Sequence, residues 1–396
     1  MFPVMASSLA FPGPMDMRRD MIDAQPSATD VLIVGAGIAG ASLAAALAPW
    51  RRVMLIEAED TPGYHATGRS AAFWHETYGG PRVQPLSVAS FDTLARPSRA
   101  FSERGFLSPR AALTLGHRSE AAAVDAFTAE FIAKGVEVVR MGAAEVAGKI
   151  PGVRTEWSEA AYEAACSDID VGALHAAYLR SAKRAGAFIA TRAPLESARR
   201  IGAMWDVRAG GQAISAALIV NAAGAWADRV AAACGVAPIG IQPYRRTVIQ
   251  LRLGIPVPAE LPLVIHIGGR FYFKGESEGR VWLSPHDETP VDPHDVVPEE
   301  IDVAIAIERM QAVVDWPVAA VERKWAGLRS FASDRIPVFG ADPHVPDFIW
   351  CAGQGGFGIQ TAPAVAGLLA AQLGAPPPGG AIGSVDPAPF APSRFT

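Results

Sequence analysis

The stretch DVLIVGAGIAGASLAAALAPWRRVMLIEAE, Asp30 to Glu59, decides the fold. It opens on the apolar run VLIV, turns through GAGIAG, enters the helix-forming ASLAAAL and closes on a second apolar run, VMLI. Continuous apolar runs of this length fit strands buried on both faces. Strand, glycine turn, helix and strand in this order make the half-site that binds a dinucleotide. Gly35 allows the tight turn, Gly37 lets backbone approach a pyrophosphate, and Gly40 lets the helix pack closely on the strand. Ile38 and Ala39 open the helix, whose N-terminus favours phosphate charge. Glu57, 22 positions after Gly35, ends the second strand with Ala58 beside it, where a carboxylate accepts hydrogen bonds from ribose hydroxyls. The fingerprint alone does not separate FAD from NAD; the acid at Glu57 repels a 2'-phosphate and sets NADP last.

Three more segments bear on the choice. ALIVNAAGAWAD, Ala217 to Asp228, is an apolar strand running into small residues. WCAGQGGFGIQTAPAVAGLLAAQLG, Trp350 to Gly374, is a short strand, a glycine turn and an Ala/Leu helix, whose N-terminus can face a reduced flavin and stabilise its negative charge. TGRSAAFWHETYGG, Thr67 to Gly80, sets a run of small residues against Phe73, Trp74, His75, Glu76 and Tyr78. Small residues let backbone lie against a flat ligand, and several such segments far apart suit a long flat cofactor, FAD rather than a nicotinamide nucleotide.

The rest of the composition narrows the class. A chain of 396 residues suits two domains, or a nucleotide-binding domain with a large insertion, and 50% hydrophobic with 19% charged residues places it among globular proteins. Net charge is -5 and basic residues form no block, which excludes nucleic acid as a partner and gives no pull toward anionic membranes. Cys166, Cys234 and Cys351 have no disulfide or metal spacing and read as buried apolar groups in a reducing compartment. His286 and His294 each precede an Asp in a Pro-rich stretch and read as a solvated loop rather than a metal site. Residues 1–28 read as a disordered leader, with Met15, Met17 and Met21 as further possible starts. Residues 377–396, rich in Pro, Gly and Ala, read as an extended tail with little structure. No apolar run reaches the ~18 residues of a bilayer span, and the expected location is cytoplasmic, free or peripheral at a membrane.

PGYHATGRSAA, SDIDVGALHAAYLR, VNAAGAWAD, WAGLRSF and GQGGFGIQT carry a resemblance to the glycine/D-amino-acid oxidase family of FAD-dependent oxidoreductases, from about Asp30 to Gly374. Within that family the chain resembles the bacterial FAD-dependent D-arginine dehydrogenases most. The resemblance implies an α/β fold: a Rossmann-type FAD-binding domain from residues 29–85, 147–240 and 325–376, with a discontinuous, mostly antiparallel-sheet substrate domain from 86–146 and 241–324. Alternating apolar residues place strands of that second domain at Arg246–Leu253, Leu261–Ile267, Phe271–Lys274 and Val281–Ser284. The resemblance also implies that Thr67, Gly68, Arg69, Ser70, Ala71 and Ala72 run along the flavin, with Leu195, Ala223, Gly224, Gly355, Gly356, Phe357, Gly358, Ile359 and Gln360 completing the cofactor site. The FAD is expected to be non-covalent, because no Cys or His falls in WAGLRSF.

For the substrate, Arg246 and Arg329 match arginines that hold a carboxylate, a task to which a planar guanidinium fork is suited. A surface position for Arg246, beside Arg245 on an alternating strand, and a structural ion pair for Arg329 stay open as alternatives. Tyr78 and Tyr272 match tyrosines at the substrate, although burial is the commonest fate of Tyr, and Gly327 would offer a carbonyl to the substrate amine. The pocket would be lined by Phe73, His75, Ala112, Leu263 and Ile265. Ala112 stands where the arginine-specific pattern has a glutamate, so D-arginine should be a poor substrate and neutral or apolar D-amino acids better ones. The implied reaction is hydride transfer from Cα to flavin N5, giving an imino acid and then a 2-oxo acid and ammonia, with a quinone, another carrier or O2 as final acceptor. Oxidation of glycine, sarcosine or a 2-hydroxy acid, and a non-catalytic flavin-binding subunit, remain the alternatives.

Overall fold

A computed structural model of the chain describes residues 26–258 and 260–395. The apolar run of the opening stretch is the strand Ala28–Val34, in which Val31, Leu32 and Ile33 have no exposed surface. It pairs in parallel with Val53–Ile56 on one side and with Gln212–Asn221 on the other. Phe188–Ala190 and Phe348–Ala352 extend the parallel layer outward, so five strands from distant parts of the chain form one sheet. An antiparallel flap, Leu195–Ile201 with Met204–Ala209, leads into Gln212–Asn221. Val31 and Ile33 face a helical layer made by Ile38–Leu47, Val171–Arg184 and Gly358–Gln372, whereas Leu32 and Val34 face the flap. Both faces are thus covered, which is why these strands read as unbroken apolar runs.

The second sheet has nine strands. Its spine is the long antiparallel pair Gln242–Leu253 and Val318–Phe331, in which Arg246 lies opposite Gly327 and Tyr244 opposite Arg329. Arg280–Ser284, Tyr272–Glu276 and Leu263–His266 follow in antiparallel order, and Ala112–Gly116 joins in parallel before Glu159–Glu163 and Val138–Met141. All four strands expected from alternation are present. A small three-stranded sheet of Phe73–Trp74, Ser167–Ile169 and Leu107–Pro109 ties the two large ones together.

Three boundaries differ from expectation. Glu159–Glu163 belongs to the second sheet, so the chain returns to the first sheet after it rather than at residue 147. The helix Gln84–Ala95 packs on Gly358–Gln372, held by Ser87 Oγ accepting from Gln360 Nε2 at 2.7 Å and Ser90 Oγ from the Ala364 N–H at 3.1 Å, so the first domain does not end at residue 85. Residues 377–396 do not form an extended tail: up to Phe395 they make a helical turn at Gly380–Gly383 and two 3-10 turns, and Phe390 is buried. Of the expected leader, residues 1–25 lie outside the described residues, and Ala28 is already in the first strand. All three cysteines are free and buried. Among the described residues no helix is long and apolar enough to cross a membrane, and no cluster of His, Cys, Asp or Glu is arranged to hold a metal.

Candidate active site

A cavity of about 500 Å³ runs between the two large sheets. Its first end is the dinucleotide turn. Gly35 has φ +101°, and a Cβ there would sit 2.5 Å from the Ala222 carbonyl oxygen; a Cβ at Gly40 would sit 1.9 Å from the Gly35 oxygen. Only glycine lets strand, turn and helix approach this closely. The helix Ile38–Leu47 has no capping side chain from its own N-cap, Gly37, and no acid in its first turn, so its positive end is open to a phosphate. Thr67 Oγ1 accepts from the Ile38 N–H at 3.0 Å and so fixes the Thr67–Ala71 segment along the cavity wall. Glu57 closes this end, accepting from the N–H groups of Ala36 at 2.7 Å and Glu59 at 3.1 Å while still facing the cavity. His175 Nε2 lies 2.8 Å from the Ala36 carbonyl; a carbonyl only accepts, so this nitrogen carries the proton, and burial lowers the pKa of the ring.

The other end is cationic. Strand alternation sends Arg245 to the acids of the following helix, with Asp302 at 2.9 Å and Glu299 beside it, and sends Arg246 to the cavity. Arg246 is 3% exposed. Its Nε donates to the Asp287 carbonyl at 2.8 Å and its Nη2 to Glu288 at 3.1 Å, but its Nη1 has no partner among the described residues. Burial and the Arg329 charge push its pKa down to about 10, so it stays charged at neutral pH. Arg329, whose open face is the cavity, donates through Nη1 to the Tyr78 hydroxyl at 2.7 Å and lies 3.2 Å from His286 Nε2. No carboxylate approaches Arg329 within 4.0 Å among the described residues. Tyr272 is buried between the two arginines' side of the cavity and Phe73, and burial raises its pKa, so its hydroxyl keeps its proton. The last long helix begins here after a glycine turn: a Cβ on Gly356 would meet the Tyr78 hydroxyl at 2.7 Å and Arg329 Nη1 at 3.0 Å.

The family described as FAD dependent oxidoreductase matches residues 30–372. The chain belongs to this family. FAD-dependent oxidoreductase domain-containing protein 1 of Mus musculus is 25% identical over 93% of this chain and 85% of its own length. Glycine oxidase from Geobacillus kaustophilus superposes with a TM-score of 0.80 at 23% identity, covering 93% of this chain and 99% of that one. L-proline dehydrogenase from P. horikoshii gives 0.80 at 20% identity, with 94% and 98% covered. At these identities the structural likeness carries the fold, a Rossmann-type FAD domain with a sheet-based second domain.

FAD is the cofactor of this oxidoreductase, and the residues fit it. Gly35, Gly37, Ile38, Ala39, Glu57 and Ala58 line the cavity with Leu195, Ala223 and Gly224; Thr67, Arg69, Ser70 and Ala71 line its middle; Gly355, Gly356, Gly358 and Ile359 line the far end. Five of the expected cofactor residues do not reach it. Gly40 and Gly68 serve close backbone packing, and Ala72 faces the helical core. Phe357 packs with Val83 and Phe331. Gln360 is consumed by the protein, accepting from the His75 N–H at 3.1 Å and donating to Ser87 Oγ at 2.7 Å.

Among the expected substrate residues, Arg246, Tyr272, Gly327 and Arg329 line the cavity, and Tyr78 joins them through Arg329. The expected side-chain pocket is filled instead. Phe73, Ala112, Leu263, Ile265 and Tyr272 pack into one apolar cluster, Ala112 and Leu263 without exposed surface. His75 is buried beneath it with Nε2 3.0 Å from Glu163. His286, expected in a solvated loop, instead stands half-buried against Arg329 and edge-on to Tyr272 at 5.8 Å. His175 sits inside SDIDVGALHAAYLR, where no local pattern gives it a role, and a His-Asp pair in a Pro-rich stretch carries no signal for His286. His294 is exposed as expected.

Proposed function

We propose that this FAD-dependent oxidoreductase oxidises a 2-amino acid to the imino acid, which water converts to a 2-oxo acid and ammonium, with neutral D-amino acids preferred to D-arginine. One observation carries the reading: two guanidiniums at one end of the FAD cavity hold unspent donors, with no partner for Arg246 Nη1 and no acid on Arg329 among the described residues. A substrate carboxylate supplies the missing charge and acceptors at once. Tyr78 accepts from Arg329 through its oxygen, which leaves its own hydrogen to donate to the same carboxylate. The Gly327 carbonyl, on the strand opposite Arg246, is the acceptor offered to the substrate amine. Bound FAD supplies the two-electron acceptor for the hydride that leaves Cα. The paired arginine charges disfavour an ammonium and favour the free amine, which oxidation requires.

The filled pocket favours a second reading within the same chemistry, in which glycine or its N-methyl derivative sarcosine is the substrate. The carboxylate across the sheet from Ala112 is Glu163, already bound to His75 and to two N–H groups, so it is not free to read a cationic side chain. Both readings disfavour D-arginine.

Anaerobic addition of amino acids to the holoenzyme, followed at the visible flavin band, separates these cases. Bleaching by D-leucine and D-alanine supports the first reading, bleaching by glycine or sarcosine alone the second. Fast bleaching by D-arginine would contradict both, and no bleaching by any amino acid would favour a 2-hydroxy acid or a non-catalytic subunit. With a reactive substrate, kcat/KM should rise with pH as the ammonium loses its proton; a flat profile between about pH 6 and 10 would count against the amine's role.

A further inference from the structure

We propose that His286 is the positioning residue of Arg329, and that the turn Ser284–Glu288 which carries it sets both substrate-binding guanidiniums. This rests on the reading of Arg246 and Arg329 as the carboxylate site.

The hydrogen-bond chemistry fixes the state of the ring. His286 Nδ1 is in hydrogen-bonding contact with the Gly269 carbonyl, which can only accept, so Nδ1 carries the proton. Nε2 is then a bare lone pair, and it lies 3.2 Å from Arg329 Nη1. A second proton would set one donor against another. Burial and the charges of Arg246 and Arg329 hold the pKa of the ring well below its ordinary range, in keeping with the neutral form. Nη1 has two hydrogens, and Tyr78 takes the other. The guanidinium plane is thereby locked, and Nε with Nη2 form the edge left to grip a carboxylate.

The same turn serves Arg246. The carbonyl of Asp287 accepts from Arg246 Nε at 2.8 Å, and Glu288 accepts from Nη2 at 3.1 Å. The turn is itself anchored: the Asp287 carboxylate accepts from the Thr247 N–H at 2.7 Å and from its hydroxyl at 3.0 Å, and the His286 N–H donates to Ser284 Oγ at 3.1 Å. His286 holds φ +56°, a left-handed backbone that costs a non-glycine residue free energy and persists where the surroundings demand it. Three consecutive residues therefore direct two cations to one end of the cavity, and His286 alone does so through a titratable ring.

The test uses the holoenzyme with four ligands: glycine, D-leucine, and the same two molecules without the amine, acetate and 4-methylpentanoate. His286→Phe keeps the ring volume and removes the acceptor, His286→Gln places an oxygen near the Nε2 position, and His286→Ala stands in if the Phe variant fails to retain flavin. Carboxylate binding is read from the flavin spectrum, together with KM and kcat for whichever amino acid reduces the wild type. The expected result for His286→Phe is a KM and carboxylate Kd about tenfold higher, the usual worth of one hydrogen bond to a charged group, with kcat changed less than about twofold. His286→Gln should recover most of this, and in an Arg329→Ala background His286→Phe should add nothing. If Arg329→Ala abolishes carboxylate binding while His286→Phe and His286→Ala bind as wild type, the positioning role is overturned and the carboxylate site survives. An equal loss from His286→Phe with and without Arg329 overturns it too. If the wild type responds to none of the four ligands, or Arg329→Ala binds as well as wild type, the functional reading fails and this inference with it.

Discussion

Glu163 has 3% of its surface exposed and keeps its charge because its partners outweigh its burial. Burial alone would raise its pKa; the His75 ring, the N–H groups of Glu76 at 2.7 Å and Thr77 at 3.3 Å, and the Thr77 side chain hold it below its ordinary value of 4.5. A depressed carboxylate pKa stabilises the fold above the unfolded value and loses that contribution as pH falls through the folded one. Glu163→Gln should therefore cost about 2–3 kcal/mol at pH 7, and the gap to wild type should begin to narrow as pH falls below about 4.5. Chemical denaturation at pH 7 and pH 4 checks both parts, and an equal gap at the two pH values would show that packing rather than charge is lost. At this scale the sequence was least informative. Arg246, Arg329 and Gly327 could be named because the resemblance points to these positions and a guanidinium suits a carboxylate, but Glu163, His175 and His286 act through partners 88, 139 and 43 positions away. No local pattern encodes such pairings, because they form only when segments distant in sequence have packed together.

The glycine turns differ in what surrounds them, and so should their substitutions. A Cβ on Gly40 would press 1.9 Å from a backbone oxygen that cannot move without opening the strand-turn-helix unit. Gly40→Ala is expected to lose FAD and stability together, by about 3 kcal/mol or more. The nearest atoms a Cβ on Gly356 would meet belong to two side chains rather than to backbone, the Tyr78 hydroxyl at 2.7 Å and the Arg329 guanidinium at 3.0 Å, so the strain falls on the Tyr78–Arg329 contact. Gly356→Ala should retain flavin and melt within a few degrees of wild type, yet raise KM by about tenfold as the Tyr78–Arg329 contact is displaced. Flavin content, melting temperature and KM for the two variants distinguish an architectural glycine from a site glycine; identical behaviour would refute the distinction. Elements of this kind were legible because their physics is local. The turn after Val34 needs positive φ and no Cβ, and the strands of the second sheet alternate because one face meets solvent or helix. The side-chain pocket was not legible, since Ala112, Leu263 and Ile265 mark an apolar wall without saying whether it is open or closed.

The whole molecule is held by contacts that return the chain to the cofactor from both directions. Arg69, on the cavity wall, donates to the carbonyls of Val296 at 3.2 Å and Ala326 at 3.1 Å and to Asp295 at 2.5 Å, and Trp325 donates back to the Arg69 carbonyl at 2.9 Å. A cofactor-lining segment and the second sheet are thus one unit. The C-terminal segment closes the other side, and composition misled there because Pro and Gly content speaks to local propensity and not to docking. Phe390, 2% exposed, stacks on Phe339 with 5.0 Å between ring centres, and Arg394 donates to Asp334 at 2.8 Å and to the Ile336 carbonyl at 2.8 Å. Phe339 lies on the strand antiparallel to Phe348–Ala352, the strand that delivers the chain into the glycine turn at the FAD cavity. Phe390→Ala should therefore remove about 3 kcal/mol by cavity formation, and Arg394→Ala, whose partners stay near solvent, about 1 kcal/mol. Deleting residues 377–396 should exceed either and speed FAD release, because it uncovers the sheet behind the cofactor turn. Thermal unfolding followed in parallel by circular dichroism and by the fluorescence of released flavin tests this. A segment that merely trails from the surface would leave both transitions in place, whereas one that completes the FAD domain should lower them together.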